Sequence, residues 1–407
     1  MNLFGVNMFD VAKIRKDFPF LQKTNTIYFD NGATALKPKS VIDEITYHYN
    51  YESVNVNRGV YRLSQIATEK FDETRNTVKD FINAKYKEEI IFTKGTTDSI
   101  NLLALSLGEL LNKGDEVIIS EMEHHANFVP WQMLRDRKGI VLKMIPIDKN
   151  GELIYEEYLK LLTSKTKLVS VTWVSNLLGT INNIEQIIKD AHNIGALVSI
   201  DGAQAVPHLK IDVEKLDIDF LSFSAHKMYG PTGVGVLYGK KELLEKMPPV
   251  FGGGDMINVV TLEKTTYNDL PHKFEAGTPN IADVIAFKRA IEYMNAIGID
   301  SIANYEHELL EYAVKKLSVF DDLTIIGTSK NKSETISFTI KGVHPQDIGM
   351  LLDEKNIAVR TGHHCAQPAL KKFNLKATTR ASFAFYNTKE EIDRFIEGIN
   401  YIYDIFN

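Results

Sequence analysis

The stretch that decides the fold is LVSIDGAQAVPHLKIDVEKLDIDFLSFSAHKMYGPTGVG, residues 197–235. It contains two short apolar runs, 197–200 and 220–223, and each has the length and composition of a buried strand. Asp201 closes the first run, and Lys227 follows the second. A carboxylate and an amine are therefore expected at the ends of neighbouring strands.

A carboxylate and an amine in these places suit a ligand with a basic ring nitrogen on one side and an aldehyde on the other. Pyridoxal phosphate is such a ligand, because it needs an acid to keep its pyridine nitrogen protonated and a lysine to hold it as a Schiff base. Ser224 and His226 add phosphate-binding donors beside the lysine. Each residue alone also has an ordinary interpretation, since an Asp after a strand often caps a helix and a Lys is usually solvated.

The composition is that of a large soluble globular protein. The chain has 407 residues, of which 44% are hydrophobic and 25% charged, so we expect two domains or one large and one smaller lobe. A formal net charge of -6 gives no basic footprint for nucleic acid or an anionic membrane. No apolar run is long enough to span a membrane and the first residues lack a signal-peptide pattern, which predicts a cytoplasmic protein.

Strands and helices alternate along much of the chain. Strand-like runs at 90–93, 115–120 and 168–173 alternate with helical patterns such as 66–83 and 187–194. This order predicts an α/β fold, a mostly parallel sheet with helices on both faces. Such sheets bind ligands beyond the carboxyl ends of their strands, and the candidate residues follow those ends.

Thr96 stands where the strand at 90–93 breaks at Gly95 and an apolar helix follows. Free backbone N–H groups and the positive end of the helix dipole make such a turn a seat for phosphate. The same pattern is also that of an ordinary capped helix.

Two further polar positions follow strands. His124 and His125 are adjacent, so their rings point in different directions, and no carboxylate or cysteine lies at metal-ligand spacing. We therefore predict no metal site and interpret His124 as a flat imidazole that stacks on a cofactor ring and relays protons. Asn176 is either a hydrogen-bond donor to the ligand or an ordinary turn residue.

The single cysteine, Cys365, excludes an intramolecular disulfide. It lies in the polar segment RTGHHCAQP, residues 360–368, whereas structural cysteines are usually buried in apolar runs. Nearby positive charge should favour the thiolate, so we interpret Cys365 as a nucleophile. Arg380 is a candidate clamp for a substrate carboxylate, or a member of an ordinary ion pair.

Six short motifs identify the chain as similar to a known family. They are KGTT at 94–97, EHHAN at 123–127, SN at 175–176, DGAQ at 201–204, SAHK at 224–227 and RTGHHCA at 360–366. Together they resemble the class V, fold-type I pyridoxal-phosphate enzymes, and within them the SufS-like, group II cysteine desulfurases. The resemblance runs from about residue 10 to the C-terminus.

The resemblance implies a fold-type I transferase with a mostly parallel seven-stranded sheet. The large cofactor-binding domain would comprise residues 26–285. A smaller α+β domain would be formed by residues 1–25 and 286–407 and would carry the Cys365 loop.

The resemblance also implies a role for each candidate residue. Lys227 is similar to the Schiff-base lysine and proton shuttle, Asp201 to the pyridinium partner, His124 to the stacking residue and Gln204 to the ligand of the phenolic oxygen. Phosphate ligands would be Thr96, Ser224, His226 and, from the other subunit of a homodimer, Thr278. Ligands of the substrate carboxylate would be Asn176 and Arg380, with Arg360 nearby.

The implied activity is conversion of L-cysteine to L-alanine, with the sulfur left as a persulfide on Cys365. The sulfur would pass to an acceptor protein for iron-sulfur cluster assembly, and a zinc-containing scaffold-like protein is one such acceptor. The alternatives are a selenocysteine lyase or another pyridoxal-phosphate-dependent β-eliminating enzyme. A non-catalytic scaffold is a third possibility, which the combination of Lys227, Asp201, His124 and Cys365 disfavours.

The chain departs from this family in one loop. Asn57 and Tyr61 replace two histidines that relatives usually carry around Arg58, which affects expectations about substrate preference, rate and acceptor. His344 aligns with a histidine that in some relatives helps to engage a zinc-containing acceptor. We interpret Arg58 itself as solvated.

Overall fold

The computed structural model describes residues 9–406. The strands, in chain order, are β1 (Ile27–Tyr28), β2 (Ile90–Thr93), β3 (Glu116–Ser120), β4 (Val141–Ile145), β5 (Thr166–Thr172), β6 (Leu197–Asp201), β7 (Phe220–Ser224), β8 (Gly235–Gly239), β9 (Ile257–Val260), β10 (Thr265–Tyr267), β11 (Leu323–Ile326), β12 (Thr335–Ile340), β13 (Ile357–Ala358), β14 (Arg360–Gly362) and β15 (Thr378–Ser382). The α-helices are α1 (Val11–Arg15), α2 (Pro19–Lys23), α3 (Lys39–Tyr51), α4 (Arg62–Phe81), α5 (Thr96–Gly108), α6 (Val129–Lys138), α7 (Tyr155–Leu161), α8 (Ile184–Asn193), α9 (Lys241–Lys246), α10 (Ile281–Ile297), α11 (Ile299–Leu317), α12 (Pro345–Glu354), α13 (Gln367–Lys372) and α14 (Lys389–Phe406).

Seven strands form one sheet in the order β2-β8-β7-β6-β5-β3-β4. All neighbours run parallel except at β8, which is antiparallel to both β7 and β2. The strands β3 and β7 are buried at every residue, as continuous apolar strands are when helices cover both faces of a sheet. The predicted α/β fold with a mostly parallel seven-stranded sheet is confirmed.

A second, four-stranded sheet is antiparallel throughout, in the order β11-β12-β15-β14. Its apolar face packs with α11, α12 and α14, for example through Phe338, Leu309, Ile348 and Phe395. The strands β12 and β15, which are buried at almost every residue, occupy the centre of this sheet, and the more exposed β11 and β14 form its edges. This layer is the smaller α+β unit that the sequence predicts.

The helix α10 runs without interruption through the predicted domain boundary at residue 285. Phe287, Ile291 and Met294, all beyond that boundary, pack in the same core as the seven-stranded sheet. The division of the chain into two domains stays a prediction, and residues 1–8 of the proposed small domain lie outside the described residues.

The segment before β1 packs against the far end of the chain. Asp10 caps α1 by accepting a hydrogen bond from the backbone N of Lys13 at 3.0 Å. Arg15 Nη1 donates to the carbonyl of Tyr386 at 2.6 Å, across 371 positions of sequence. The ring centroids of Phe18 and Tyr386 are 4.6 Å apart, so these distant segments share one core.

The sequence patterns do not predict all of the strands. The edge strand β4 has exposed, half-buried and buried residues, so it lacks the apolar run of a buried strand. The strand β8 begins at Gly235, the last residue of the glycine-rich segment GPTGVG at 230–235, and a Cβ at that position would lie 2.3 Å from Cα of Gly95. Glycine is therefore required where β8 crosses the turn before α5. Within residues 9–406, no helix is both long and apolar enough to cross a membrane.

Candidate active site

One cavity of about 430 Å³ opens where β6 and β7 end. Its lining includes every predicted site residue but one: Lys227, Asp201, Gln204, His124, Thr96, Ser224, His226, Asn176, Arg380, Arg360 and Cys365. We call residues 201–204 and 224–227 the floor of the cavity, and we call residues 360–367 the thiol loop. The floor follows the seven-stranded sheet, whereas the thiol loop begins in the four-stranded sheet.

Asp201 and Lys227 occupy the floor as the sequence predicts. Asp201 is the last residue of β6, is 3% exposed, and accepts a hydrogen bond through Oδ1 from the backbone N of Ala203 at 2.9 Å. Burial raises the pKa of the Asp201 carboxyl, which the Ala203 hydrogen bond and Lys227 oppose. The acid is therefore anchored by one oxygen and electrostatically coupled to the amine.

Lys227 ends a short helical turn after β7. Burial lowers the pKa of its amine to about 8. Arg380 also lowers this pKa, whereas Asp201 and the Cys365 sulfur raise it. An amine with a pKa near 8 exchanges its proton readily at neutral pH. Lys227 can thus act both as a nucleophile and as a proton carrier.

His124 presents a neutral ring to the cavity. Burial, with Lys227 and His125, lowers the pKa of His124 to about 3. Its Nδ1 accepts a hydrogen bond from the backbone N of Ala126 at 3.0 Å, so Nε2 carries the proton. A neutral imidazole fixed in this way is suited to lie against an aromatic ring.

Thr96 and Ser224 form a compact cluster of donors. The Ser224 Oγ accepts a hydrogen bond from the backbone N of Thr96 at 2.7 Å and lies 2.7 Å from Thr96 Oγ1. Burial, Lys227 and Lys37 lower the pKa of nearby His226 to about 4. The start of α5 and the end of β7 therefore offer hydroxyl and backbone donors to an anion.

Gln204 is buried and donates a hydrogen bond through Nε2 to the carbonyl of Gly32 at 2.7 Å. This contact orients the amide at the edge of the cavity. A ligand oxygen at this edge would face an amide group whose position is already fixed.

Arg380 links the two sheets at the cavity. The residue is 2% exposed, and its Nη1 donates to the carbonyl of Asn176 at 2.8 Å while Nη2 lies 3.5 Å from Asp30 Oδ1. Its Nε has no hydrogen-bond partner among residues 9–406. A buried guanidinium with unused donors beside a cavity fits an incoming carboxylate.

Arg360 is held differently from Arg380. Its Nε and Nη2 bind both carboxylate oxygens of Asp30 at 3.0 and 2.8 Å, and half of its side chain is exposed. Arg360 is thus already paired, whereas Arg380 keeps donors for a ligand. Asp30 was not among the predicted site residues, and its only signal in the sequence is its place in the turn-forming segment DNGA, residues 30–33, after β1.

The thiol loop brings Cys365 to the cavity. His364 and Cys365 both have positive φ, 49° and 53°, a conformation that costs energy for residues with a Cβ. Asn176 Nδ2 donates to the carbonyl of His364 at 2.7 Å, and the His364 ring lies 3.0 Å from the carbonyl of Thr378 through Nε2. Cys365 is half-buried and not in a disulfide.

Comparison with protein families matches residues 27–395 to the family described as aminotransferase class-V. The chain belongs to this family.

Individual class-V relatives cover nearly all of this chain. A probable cysteine desulfurase of Staphylococcus aureus is 48% identical over 98% of both chains. Probable cysteine desulfurase 1 of Mycobacterium leprae is 48% identical over 98% of this chain, which spans 66% of that relative's length. The solved apo structure of a cysteine desulfurase from Thermococcus onnurineus is 40% identical and superposes with a TM-score of 0.93, covering 96% of this chain and 97% of that one.

The cofactor of this class-V protein is pyridoxal phosphate, and the cavity residues fit it. The chemistry of the donor set carries this conclusion: a buried acid, an amine with a lowered pKa, a cluster of hydroxyl and backbone donors, and a flat neutral imidazole. Asp201 would pair with the ring nitrogen, Lys227 with the aldehyde and Gln204 with the phenolic oxygen. Thr96, Ser224 and His226 would hold the phosphate, and His124 would cover the ring.

Thr278 is the predicted residue that does not line this cavity. It is exposed, in the segment between the β9–β10 hairpin and α10. Arg58, expected to be solvated, keeps 66% of its side chain exposed but pairs with Asp255 at 2.9 Å. Asn57 and Tyr61 are exposed outside the cavity.

Glu123 is a supporting residue that sequence reasoning did not select. It is fully buried, accepts hydrogen bonds from Ser120, Asn127 and the backbone N of Thr172 at 2.5, 2.6 and 3.0 Å, and burial raises its pKa to about 8. These bonds fix the turn that presents His124. In the sequence, Glu123 is marked only by its position one residue before His124.

Proposed function

We propose that the chain is a cysteine desulfurase that converts L-cysteine to L-alanine and receives the sulfur on Cys365. The observation that carries this proposal is the convergence of Lys227, Asp201, Arg380 and Cys365 on one cavity. The names of close relatives support it, since proteins 45–48% identical over 98% of this chain are called cysteine desulfurases or probable cysteine desulfurases. Assignment to the SufS-like subgroup belongs to the same proposal.

The roles of the floor follow from its electrostatics. When bound, pyridoxal phosphate supplies an electron sink for deprotonation at Cα of the amino acid. Lys227, with a pKa of about 8, takes the Cα proton and returns a proton to the carbon chain. Asp201 would pair with the ring nitrogen and keep it protonated, since opposite charges attract more strongly in a buried site than in water.

The substrate is oriented by Arg380 and Asn176, which link the two sheets. Arg380 offers unused guanidinium donors, and Asn176 lies beside it through a 2.8 Å hydrogen bond from Arg380 to its carbonyl. A carboxylate bound here anchors L-cysteine at its α end. The substrate sulfur is then directed toward the rest of the cavity lining, which includes Cys365.

Sulfur transfer is a displacement at sulfur. The Cys365 thiolate attacks the substrate sulfur, an S–S bond forms, and the Cβ–S bond breaks with its electron pair left on carbon. Protonation of that carbon gives alanine, and the enzyme keeps a persulfide, so no external oxidant or reductant is needed. A selenocysteine lyase or another β-eliminating enzyme does not need this thiol, so the position of Cys365 favours the desulfurase.

The partners are L-cysteine, a second copy of the chain and a sulfur-acceptor protein of an iron-sulfur assembly system. Homodimer formation is supported by Thr278, which is exposed outside the cavity, and by the exposed apolar side chains Val60 and Leu262. A zinc-containing acceptor is supported by His344, which is exposed at the start of α12, the helix packed against β14. A cytoplasmic location stays a prediction from the sequence.

Mass spectrometry of the holoenzyme after incubation with L-cysteine tests the proposal. We expect one additional sulfur atom on the peptide that contains Cys365 and alanine as the product, and neither in a Cys365→Ser variant. Formation of pyruvate and sulfide in place of alanine, or undiminished alanine formation by the variant, would contradict it.

A further inference from the structure

The thiol loop has a strained backbone that its surroundings must hold. His364 and Cys365 are consecutive residues in the left-handed region, which residues with a Cβ occupy only where surrounding contacts determine the conformation. Within the loop, the backbone N of Cys365 donates to His363 Nδ1 at 3.1 Å. This contact is local and does not fix the loop relative to the floor.

His125 makes contacts on both sides of Cys365 from the other sheet. Its backbone N donates to the carbonyl of Cys365 at 2.7 Å, and its ring Nε2 accepts a longer hydrogen bond, 3.4 Å, from the backbone N of Gln367. Its ring also lies against that of His363, with centroids 5.6 Å apart. The residue follows His124, so one turn presents the stacking imidazole and also touches the thiol loop.

A metal is the alternative occupant of this cluster. Potential ligand atoms of His125, His363 and Cys365 all lie within 4.8 Å of one another. A neutral imidazole has one lone pair, however, and both rings already direct it at a backbone N–H of the thiol loop. A metal would have to displace both hydrogen bonds, so the geometry favours a structural role for the two rings.

We propose that His125 is a positioning residue for the thiol: its backbone N–H and its neutral ring together hold the thiol loop so that Cys365 faces the floor. The proposal rests on the proposed function, because it explains how the sulfur-receiving group is kept in place. Burial and the neighbouring His363 lower the pKa of His125, which keeps the ring an acceptor at neutral pH.

The ring is surrounded by several groups that titrate or carry charge. His124 and His363 flank it, Cys365 lies within the cluster, and Glu121, Lys371 and Lys372 line the open groove on its other side. Protonation of His125 at lower pH would remove its acceptor and release the contact to Gln367. The contact from the His125 backbone to the Cys365 carbonyl would remain.

Two variants separate the ring's role from a general effect on folding. His125→Gln places an amide oxygen near the position of Nε2 and cannot titrate, whereas His125→Leu fills the space without an acceptor. In the holoenzyme we expect His125→Leu to exchange the Gln367 amide hydrogen faster and to lose about tenfold in the rate of persulfide formation. His125→Gln should have the wild-type rates of Gln367 amide exchange and of persulfide formation. In the wild type we expect the rate of persulfide formation to fall at acid pH as His125 becomes protonated, and His125→Gln should not show this fall.

The outcomes that would overturn the proposal are distinct from failure of the proposed function. Amide exchange and maleimide alkylation of Cys365 need no substrate, so they test the loop even if no persulfide forms. Equal exchange and alkylation rates in wild type, His125→Leu and the control His307→Leu would contradict the positioning role. Binding of one equivalent of Zn²⁺ by the holoenzyme, with protection of Cys365 from alkylation that His125→Gln abolishes, would instead make the cluster a metal site.

Discussion

The floor and the thiol loop meet at one cavity but differ in how their backbones are fixed. The floor follows β6 and β7, which have hydrogen-bonded neighbours on both sides in the middle of the seven-stranded sheet. The thiol loop follows β14, an edge strand paired only with β15, and continues through two residues with positive φ. The floor is therefore fixed by the hydrogen-bond ladder of central strands, whereas the thiol loop is held by separate hydrogen bonds, among them those made by Asn176 and His125.

This difference suits the two tasks of the proposed reaction. Proton transfer at a bound ring needs groups whose positions do not change, and central strands provide them. In the proposed reaction the thiol meets first the substrate and later an acceptor protein, and a loop on an edge strand can give it access to both. Variants that affect one region alone should separate the two halves of the reaction.

Lys227→Ala should have the broadest effect, because it removes the amine from the floor and so prevents both halves of the proposed reaction. We expect alanine formation to fall by about 10³-fold, with the persulfide on Cys365 lost in parallel. Lys167→Ala, an exposed lysine on β5, is the matched control and should retain wild-type activity. Quantification of alanine checks both, and near-normal turnover by Lys227→Ala would show that the floor does not carry the proton.

Cys365→Ala should abolish alanine formation from L-cysteine while leaving the floor intact. The bound cofactor's visible absorbance, and its change on addition of L-cysteine, should be those of the wild type, since Cys365 belongs only to the thiol loop. Parallel absorbance and product measurements test this separation. Loss of the absorbance change would mean that the two regions are coupled already at substrate binding.

Arg380→Lys changes the residue that links the two sheets at the cavity. Lysine keeps the charge but loses the planar fork that binds a carboxylate by two hydrogen bonds. We expect kcat/KM for L-cysteine to fall by about 10²-fold, mostly through KM. Steady-state kinetics with Arg394→Lys, an exposed arginine on α14, provide the control, and an unchanged KM would exclude Arg380 as the carboxylate ligand.

A buried ionic group joins the segment after β6 to α11 and to the residue before β12. His208 contacts Glu306 at 2.7 Å through Nδ1 and Glu334 at 3.1 Å through Nε2. Burial alone would lower the pKa of His208, but Glu334 and Glu306 outweigh it and raise that pKa to about 9. Because the pKa of His208 in the folded protein lies above its ordinary value of 6.5, protonated His208 stabilises the folded state. This contribution is complete below pH 6.5 and is lost as pH rises through 9.

His208→Gln should therefore lower the free energy of unfolding by on the order of 2 kcal/mol at pH 6 and by less at pH 9.5. The quantity to measure is the difference in the free energy of unfolding between variant and wild type. Lys227 and Lys332, whose pKa values are lowered to about 8 and 7, make both proteins more stable as pH rises, and this effect cancels in the difference. Urea unfolding at the two pH values checks it, with His307→Gln as control. A difference independent of pH would mean that His208 is not charged in the folded protein.

The floor could be predicted from the sequence because its residues stand at the ends of recognisable strands. Asp201, Ser224 and Lys227 follow apolar runs whose carboxyl ends must meet at one edge of a parallel sheet. Their placement in one cavity follows from that rule alone.

Other parts needed the three-dimensional structure. Asp30 reaches Arg360 and Arg380 across more than 300 positions of sequence, and no local pattern records such a contact. The strand β8 was missed because its glycines, needed for close approach to Gly95, are also typical of a loop. The contact of His125 with the thiol loop depends on how two sheets meet, which no period of apolar residues specifies.

The contact between Arg15 and Tyr386 has a consequence for synthesis on the ribosome. The early segment cannot complete its packing until residues near 386 have left the exit tunnel, and a contact of such long sequence separation is slow to form. Arg380 and Cys365 emerge at the same late stage. A nascent chain that has already buried Lys227 would therefore lack the proposed sulfur-accepting thiol and carboxylate ligand until the segment with residues 365–386 has emerged.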